Sequence, residues 1–280
     1  MRTQVMGTAR WIAAARARES ARADRLFDDP WAAELAGCQG MQMLAAREAG
    51  GQQNRFLPVR TRFFDDVLAA ACKPAGQVVL LGAGLDTRAW RLSLPARTTV
   101  YELDYPEVLA AKLAVLREAD VATDRRAVPA DLRADWVQQL LAAGFDPMTA
   151  TVWIAEGVLF YLTSSQVDDL LAGAATLSAR DCVLAADTFG TGLLRLPAMR
   201  ALVERRARRG AALPFCTDTP RDLLARAGWR PDSVLDLGAQ GANYGRCAPI
   251  PSQWDGGRDP SMRTYLLVGS RQVAAGHSAP

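Results

Sequence analysis

Apolar positions along the chain keep two different rhythms. Over about the first 70 residues they recur at helical spacing. Trp11, Ile12 and Ala15 lie in an Ala-rich stretch, and the turn Asp28-Asp29-Pro30 precedes a second segment over 31–35. After a Gly-punctuated stretch, Phe63, Val67, Leu68 and Ala71 share one face of a segment over 59–71. At the turn Lys73-Pro74-Ala75-Gly76 the rhythm changes to short apolar runs separated by helical patterns. Gln77-Val78-Val79-Leu80-Leu81 is the first run, suited to a strand buried on both faces. Others cover 98–103, 127–130, 151–155 and 182–186, with helices expected at 88–92, from about Pro106, over 136–143 and over 165–175. Strands alternating with helices predict an α/β fold, a doubly wound parallel sheet with right-handed crossovers.

Each apolar run stops at a residue with chemistry: Gly82 and Gly84, Asp104, Asp131, Glu156, Asp187. Open α/β sheets bind ligands in the crevice at the carboxyl ends of their strands, so the site is expected along that edge. A strand running into Gly-x-Gly lets a nucleotide-bearing ligand approach backbone closely, because glycine has no Cβ. No Gly-Lys-Ser/Thr follows, so this is not a phosphate loop of the Walker type. Thr87 also stands where a dinucleotide fingerprint has its third glycine. Asp104, one strand later, is spaced to accept both hydroxyls of a ribose; the other reading is a helix cap before Pro106. Glu102 shares that strand and is expected on the opposite side.

A second glycine loop, Leu237-Gly238-Ala239-Gln240-Gly241, follows Val234-Leu235-Asp236. Only about 40 residues remain after it, too few for the alternating elements of a doubly wound sheet. It is expected to be a late strand and loop, after a helix over 221–227 and the turn at Gly228-Trp229.

Composition narrows the partners. Of 280 residues, 50% are hydrophobic and 22% charged, a globular balance. A net charge of +3 requires neither nucleic acid nor an acidic membrane, and no run approaches the roughly 20 apolar residues of a membrane span. The Arg/Ala-rich start has a faint transit-peptide character, but an amphipathic helix of the folded domain accounts for it better. Five cysteines without a C-x-x-C pair argue for a reducing, cytoplasmic setting rather than a disulfide framework. His277, in the Gly/Ser/Ala/Pro tail, is the one histidine, so no imidazole metal site is expected.

The motifs together resemble the leucine carboxyl methyltransferase superfamily, and especially its bacterial branch of S-adenosylmethionine-dependent enzymes, which includes a polyketide carboxyl methyltransferase. The likeness runs from Thr8-Ala9 through Leu26-Phe27-Asp28-Asp29-Pro30 to Arg60-Thr61-Arg62-Phe63-Phe64-Asp65-Asp66. It continues in Leu81-Gly82-Ala83-Gly84-Leu85-Asp86-Thr87-Arg88, Glu102-Leu103-Asp104-Tyr105-Pro106 and Asp131-Leu132-Arg133. Its most specific run is Trp153-Ile154-Ala155-Glu156-Gly157-Val158-Leu159-Phe160-Tyr161-Leu162. The resemblance implies a Rossmann-like class I methyltransferase sheet with N-terminal helices and S-adenosyl-L-methionine as cofactor. By it, Gly82 and Gly84 line the cofactor, Asp104 holds its ribose, and Asp131 and Leu132 meet the adenine. Glu156 lies near the methionyl part, Arg60 meets a carboxylate of cofactor or acceptor, and Tyr161 stands close to the acceptor. Arg10 matches a basic residue that contacts the cofactor in some relatives.

These readings predict one domain. Residues 1–72 form a helical cap, 73–188 the cofactor core, 189–215 a lid, 216–270 the closing strands and 271–280 a tail. The lid would offer Phe189, Leu193, Leu194, Leu196, Met199 and Phe215, with Gly190, Gly192 and Gly210 as hinges; Arg205-Arg206-Ala207-Arg208-Arg209 reads as a solvated helix face. The acceptor is expected to be a small molecule. A phenol, with pKa near 10, benefits from a general base, whereas a carboxylate is already ionised at pH 7. With the one histidine in the tail, carboxyl O-methylation is favoured, with Arg60 orienting the carboxylate through paired hydrogen bonds and Tyr161 assisting; Asp or Glu remains available as base for a phenol. Methylation of a protein C-terminus, or a cofactor-binding partner without turnover, are the alternatives, and the oligomeric state stays open.

Overall fold

The computed structural model describes residues 2–51, 53–72, 76–121, 123–134, 136–208, 213–247 and 259–271. Residues 73–75 of the expected turn, the hinge candidate Gly210, Arg209, the side chain of Arg205 and the tail with His277 lie outside the described residues.

Seven strands hydrogen-bond into one sheet in the order β3-β2-β1-β4-β5-β7-β6. They are β1 (Gln77–Leu81), β2 (Thr99–Asp104), β3 (Asp124–Pro129), β4 (Thr151–Ala155), β5 (Val183–Phe189), β6 (Arg230–Asp236) and β7 (Thr264–Ser270). The first five run parallel, and β7 inserts antiparallel between β5 and β6. Register sets the site. Leu81 is level with Leu103 and Ala155 with Ala186, so Gly82 follows beside Asp104 and Glu156 beside Asp187. Pro129, which has no N–H to donate, ends β3 at the sheet's edge, where proline is tolerated.

Alternation along the central strands feeds two cores. Val79 and Leu81 face Trp136, Trp153, Leu170 and Trp229, beneath α6 (Trp136–Ala142), α7 (Ser164–Thr176) and α9 (Pro220–Arg226). Val78 and Leu80 face Phe63, Phe64 and Leu68 of α3 (Phe56–Ala71). A third, smaller core joins Ala13, Ala14 and Ala15 of α1 (Arg2–Ser20) to Leu35, Ala36 and Leu44 of α2 (Ala32–Arg47), and closes on Leu85. Helix α2 runs well past the expected 31–35, bending at Gly37, whose φ is +56°. The helix after the first glycine loop, α4 (Arg88–Arg91), is a single turn, whereas α5 (Pro106–Leu116) opens on proline as anticipated.

The second glycine loop follows β6 with Gly238 and Gly241 at φ +90° and +84°, a late strand and turn as expected. Over 189–215, a 3-10 turn (Thr191–Arg195) leads into α8 (Pro197–Arg208). Gly190 and Gly192 are glycines of close approach: a Cβ on either would come within 2.4 Å of the Pro260–Ser261 segment. Arg208 is exposed, 3.7 Å from Glu204. Among the described residues no helix is long and apolar enough to cross a membrane.

Candidate active site

The glycine loop turns between β1 and α4 with Gly82 at φ +71° and Gly84 at φ +50°, a region that L side chains avoid. A Cβ on Gly82 would also meet Val158 Cγ2 at 2.8 Å and lie 3.8 Å from Leu132. At Gly84 the nearest heavy atom would be 3.9 Å away, leaving that face open. Asp104 ties the loop to β2: Gly84 N–H donates to Oδ2 at 2.7 Å and Tyr105 N–H to Oδ1 at 2.7 Å. The carboxylate thus takes its own neighbour's N–H and does not cap α5, which has no side-chain cap. Burial pushes Asp104 above the usual carboxylate range, and the two N–H donors pull it part of the way back.

Cations from three elements grip the rest of the loop. Arg16 of α1, itself 2.8 Å from Asp29, donates to Leu85 O at 2.5 Å. Lys112 of α5 donates to Asp86 O at 3.1 Å, and Arg88 pairs with the Asp86 carboxylate. Burial alone would raise Asp86; Arg88, Arg91, Lys112 and the Arg88 N–H outweigh it and hold the group at about 2. Glu102 lies behind this wall, fully buried and paired with Lys112 at 2.9 Å and with Arg125. Two residues from Asp104 on the same strand, it lies on that residue's side and not on the opposite one expected from the sequence, because side chains alternate with a period of two.

Arg60, 5% exposed, sits between two acids. Its Nε donates to Glu156 Oε1 at 3.0 Å and its Nη1 to Asp187 Oδ2 at 3.3 Å, while Asp187 Oδ1 accepts the Gly157 N–H at 2.5 Å. Nη2 is the amino group these two carboxylates leave over. Glu156 Oε2 lies 2.7 Å from Arg88, which also holds Asp65 at 2.6 Å. Arg91 reaches the same Asp65 at 2.6 Å. Arg60 is therefore held by carboxylates on two neighbouring strand ends.

Beside this network runs a chain of rings. Phe56, Phe189, Phe160 and Tyr161 follow one another with centroids 5.9, 5.4 and 6.0 Å apart, and the guanidinium carbon of Arg60 lies 5.1 Å from the Phe56 centroid. Tyr161 is 37% exposed and so is no core residue. Leu132 and Val158 lie together over Gly82 as an apolar wall. Asp131 is 32% exposed and pairs with Arg133, whose hydrogen bond, against burial, lowers its pKa. Arg10 donates to Gln39 at 2.8 Å.

The sheet edge thus gathers Gly82, Gly84, Asp104, Leu132, Arg60, Glu156 and Tyr161. Asp187 and Arg88 are the site residues that sequence reasoning passed over. Both were visible, Asp187 as a strand-end acid and Arg88 as the last residue of the glycine motif, but neither had been given a role.

A seven-stranded sheet of this order with its glycine loop and strand-end acids is that of the Rossmann-like S-adenosyl-L-methionine-dependent methyltransferases. A crystal structure of a provisionally named methyltransferase from Thermobifida fusca matches with a TM-score of 0.59 at 17% identity, over 92% of this chain and 94% of that one. A DUF574 family protein from Streptomyces avermitilis matches at TM-score 0.58 and 14% identity, over 95% and 97%. Residues 9–175 match the model of the family described as leucine carboxyl methyltransferase. A protein of Frankia alni, provisionally named an S-adenosyl-L-methionine-dependent methyltransferase, is 41% identical over 87% of this chain and 90% of its own. One of that same name from Saccharopolyspora erythraea is 39% identical over 83% and 86%. The chain belongs to the leucine carboxyl methyltransferase family, and S-adenosyl-L-methionine is its cofactor.

Proposed function

We propose that the protein methylates a carboxylate oxygen of a small molecule with an apolar, polyketide-like body. The observation that carries this reading is the chain of part-exposed rings Phe56, Phe189, Phe160 and Tyr161, whose first ring lies 5.1 Å from the guanidinium carbon of Arg60. Rings of this kind bind a flat apolar body through offset and edge contacts, a surface that suits a small acceptor better than a solvated peptide end.

The donor set fits the cofactor. The open face at Gly84 admits it, Asp104 keeps lone pairs for ribose hydroxyls, and the wall of Leu132 and Val158 suits an adenine face. Arg60 offers Nη2 to the methionyl carboxylate, and the acids Glu156 and Asp187 suit a ligand that carries an ammonium and a sulfonium. The bound cofactor supplies the methyl group on its sulfonium; the protein supplies position and electrostatics.

The acceptor's ionisation follows from the groups beside these rings. Asp187, although raised by burial, is committed to Gly157 N–H and Arg60. Glu156 is committed to Arg60 and Arg88. No uncommitted base stands there among the described residues, so an acceptor that is already an anion is favoured over a phenol. With Arg60 engaged by Glu156 and Asp187, we assign it to the cofactor side and leave Tyr161 O–H as the hydrogen-bond donor toward the acceptor.

The test is a panel of aromatic acids, matched phenols and peptides ending in leucine, each incubated with methyl-labelled cofactor. Base-labile label on the acids is expected. Label confined to phenols or to peptide ends would refute the acceptor class.

A further inference from the structure

We propose that Asp187 is a positioning residue of the cofactor pocket, closing a ring that fixes Arg60 and Glu156 in the arrangement that receives the methionyl part. This rests on the cofactor roles proposed above and adds a residue to them. The ring is continuous. Asp187 Oδ2 accepts from Arg60 Nη1 at 3.3 Å, Arg60 Nε donates to Glu156 Oε1 at 3.0 Å, and the chain passes from Glu156 to Gly157. Gly157 N–H returns to Asp187 Oδ1 at 2.5 Å. Three separate elements meet in it: α3 brings Arg60, the end of β4 brings Glu156, and β5 brings Asp187.

The local backbone is built around this closure. Ala155 is level with Ala186, which sets Glu156 and Asp187 side by side at the sheet edge. Gly157 has φ +66°, and a Cβ there would lie 2.8 Å from Arg60 Nη1 and 3.2 Å from Nη2, so the turn leaves only enough room for the guanidinium. Asp187 is 3% exposed and Arg60 5%, so the pair is shut away from water. A buried ion pair is a poor source of stability compared with apolar packing, and its best-attested use is to specify a geometry. What this ring specifies is the angle of the Arg60 fork and the turn that carries Glu156. Without the Asp187 charge, Arg60 is held at Nε alone and can swing about that bond.

S-adenosylhomocysteine, the demethylated cofactor, is the probe, because it binds without turnover and needs no acceptor. Its dissociation constant is measured by calorimetry for the unaltered protein, Asp187→Asn, Arg60→Met and the double variant. Asparagine keeps an acceptor for Gly157 N–H but turns an amide toward Arg60 Nη1. Asp187→Asn is expected to weaken binding by about tenfold or more and Arg60→Met by at least as much. The double variant is expected to be no weaker than Arg60→Met within about threefold, since residues acting through one another are not additive. A purely structural role would give losses that multiply, and that result, or binding by Asp187→Asn equal to the unaltered protein, would overturn the assignment. If Asp187→Asn does not fold, Gly157→Ala perturbs the ring from the opposite side and leaves Asp187 intact. It should weaken binding in the Arg60 protein and have no effect in the Arg60→Met background; equal losses in both would refute the ring. Failure of the unaltered protein to bind either form of the cofactor would instead remove the proposed cofactor roles.

Discussion

Replacing Arg88 by methionine keeps the aliphatic stem and removes a guanidinium that is 2% exposed and paired with Asp65, Asp86 and Glu156. Each acid keeps one partner: Asp65 keeps Arg91 at 2.6 Å, Glu156 keeps Arg60 at 3.0 Å, and Asp86 keeps the backbone N–H of residue 88 at 2.6 Å. Breaking a buried pair costs about 3–5 kcal/mol. The retained partners argue for about 3, and the lost hydrogen bond to the Thr61 carbonyl adds about 1 kcal/mol. At a urea dependence of about 3 kcal/mol per molar, the unfolding midpoint should fall by more than ~1 M. Charge loss can be told from packing loss by pH. Asp86 is held at about 2 in the folded protein against 3.8 in a free chain. Its contribution is therefore complete above the free-chain value and lost as pH falls through the folded one. That contribution is on the order of 2 kcal/mol at about 1.4 kcal/mol per pH unit, and the variant lacks most of it. The stability gap between the two proteins should accordingly narrow as pH is lowered from about 5 toward 3. Urea titrations monitored by tryptophan fluorescence at several pH values supply the measurement. A gap under about 1 kcal/mol at neutral pH, or one that stays constant with acid, would show that the network does not carry the charge coupling assigned to it.

Three further outcomes follow from the same geometry. Asp104→Asn should weaken S-adenosylhomocysteine binding by about 1–3 kcal/mol, as for a lost hydrogen bond to a charged group, read by calorimetry; unchanged binding would deny Asp104 the ribose. Gly82→Ala should destabilise by roughly 1–2 kcal/mol through its φ of +71° and further through the 2.8 Å approach to Val158. Adding Val158→Ala should restore the steric share alone, and full recovery in thermal melts would contradict the backbone part. Tyr161→Phe should leave cofactor binding unchanged and lower turnover of an accepted carboxylate by about tenfold, the loss of one transition-state hydrogen bond. A Tyr161→Phe enzyme with full turnover would place that hydroxyl outside the reaction.

The sequence made the sheet and its working edge legible because both rest on local periodicity. A run such as Gln77–Leu81 must be buried on both faces, and the residue after it must sit at the strand's carboxyl end. Gly82, Asp104 and Glu156 could be found that way without knowing what each would touch. Lengths were less legible where packing decides them. The residues after Gly37 hold no strong helical pattern of their own, yet α2 continues to Arg47 because Leu44 packs against α1. The single turn of α4 falls within one residue of the expected 88–92, and Arg88 anchors it through its side chain. Least legible was the pairing of charges. Arg60 lies 96 residues from Glu156 and 127 from Asp187, and no spacing rule relates positions that distant. An arginine and an acid on a strand end read equally well as ligand contacts or as partners of one another. The structure brings them together, and that changes the chemistry assigned to Arg60. A guanidinium already facing two carboxylates has one amino group left to offer, so it suits a single carboxylate at a fixed place, that of the cofactor, better than a variable acceptor that would need the whole fork.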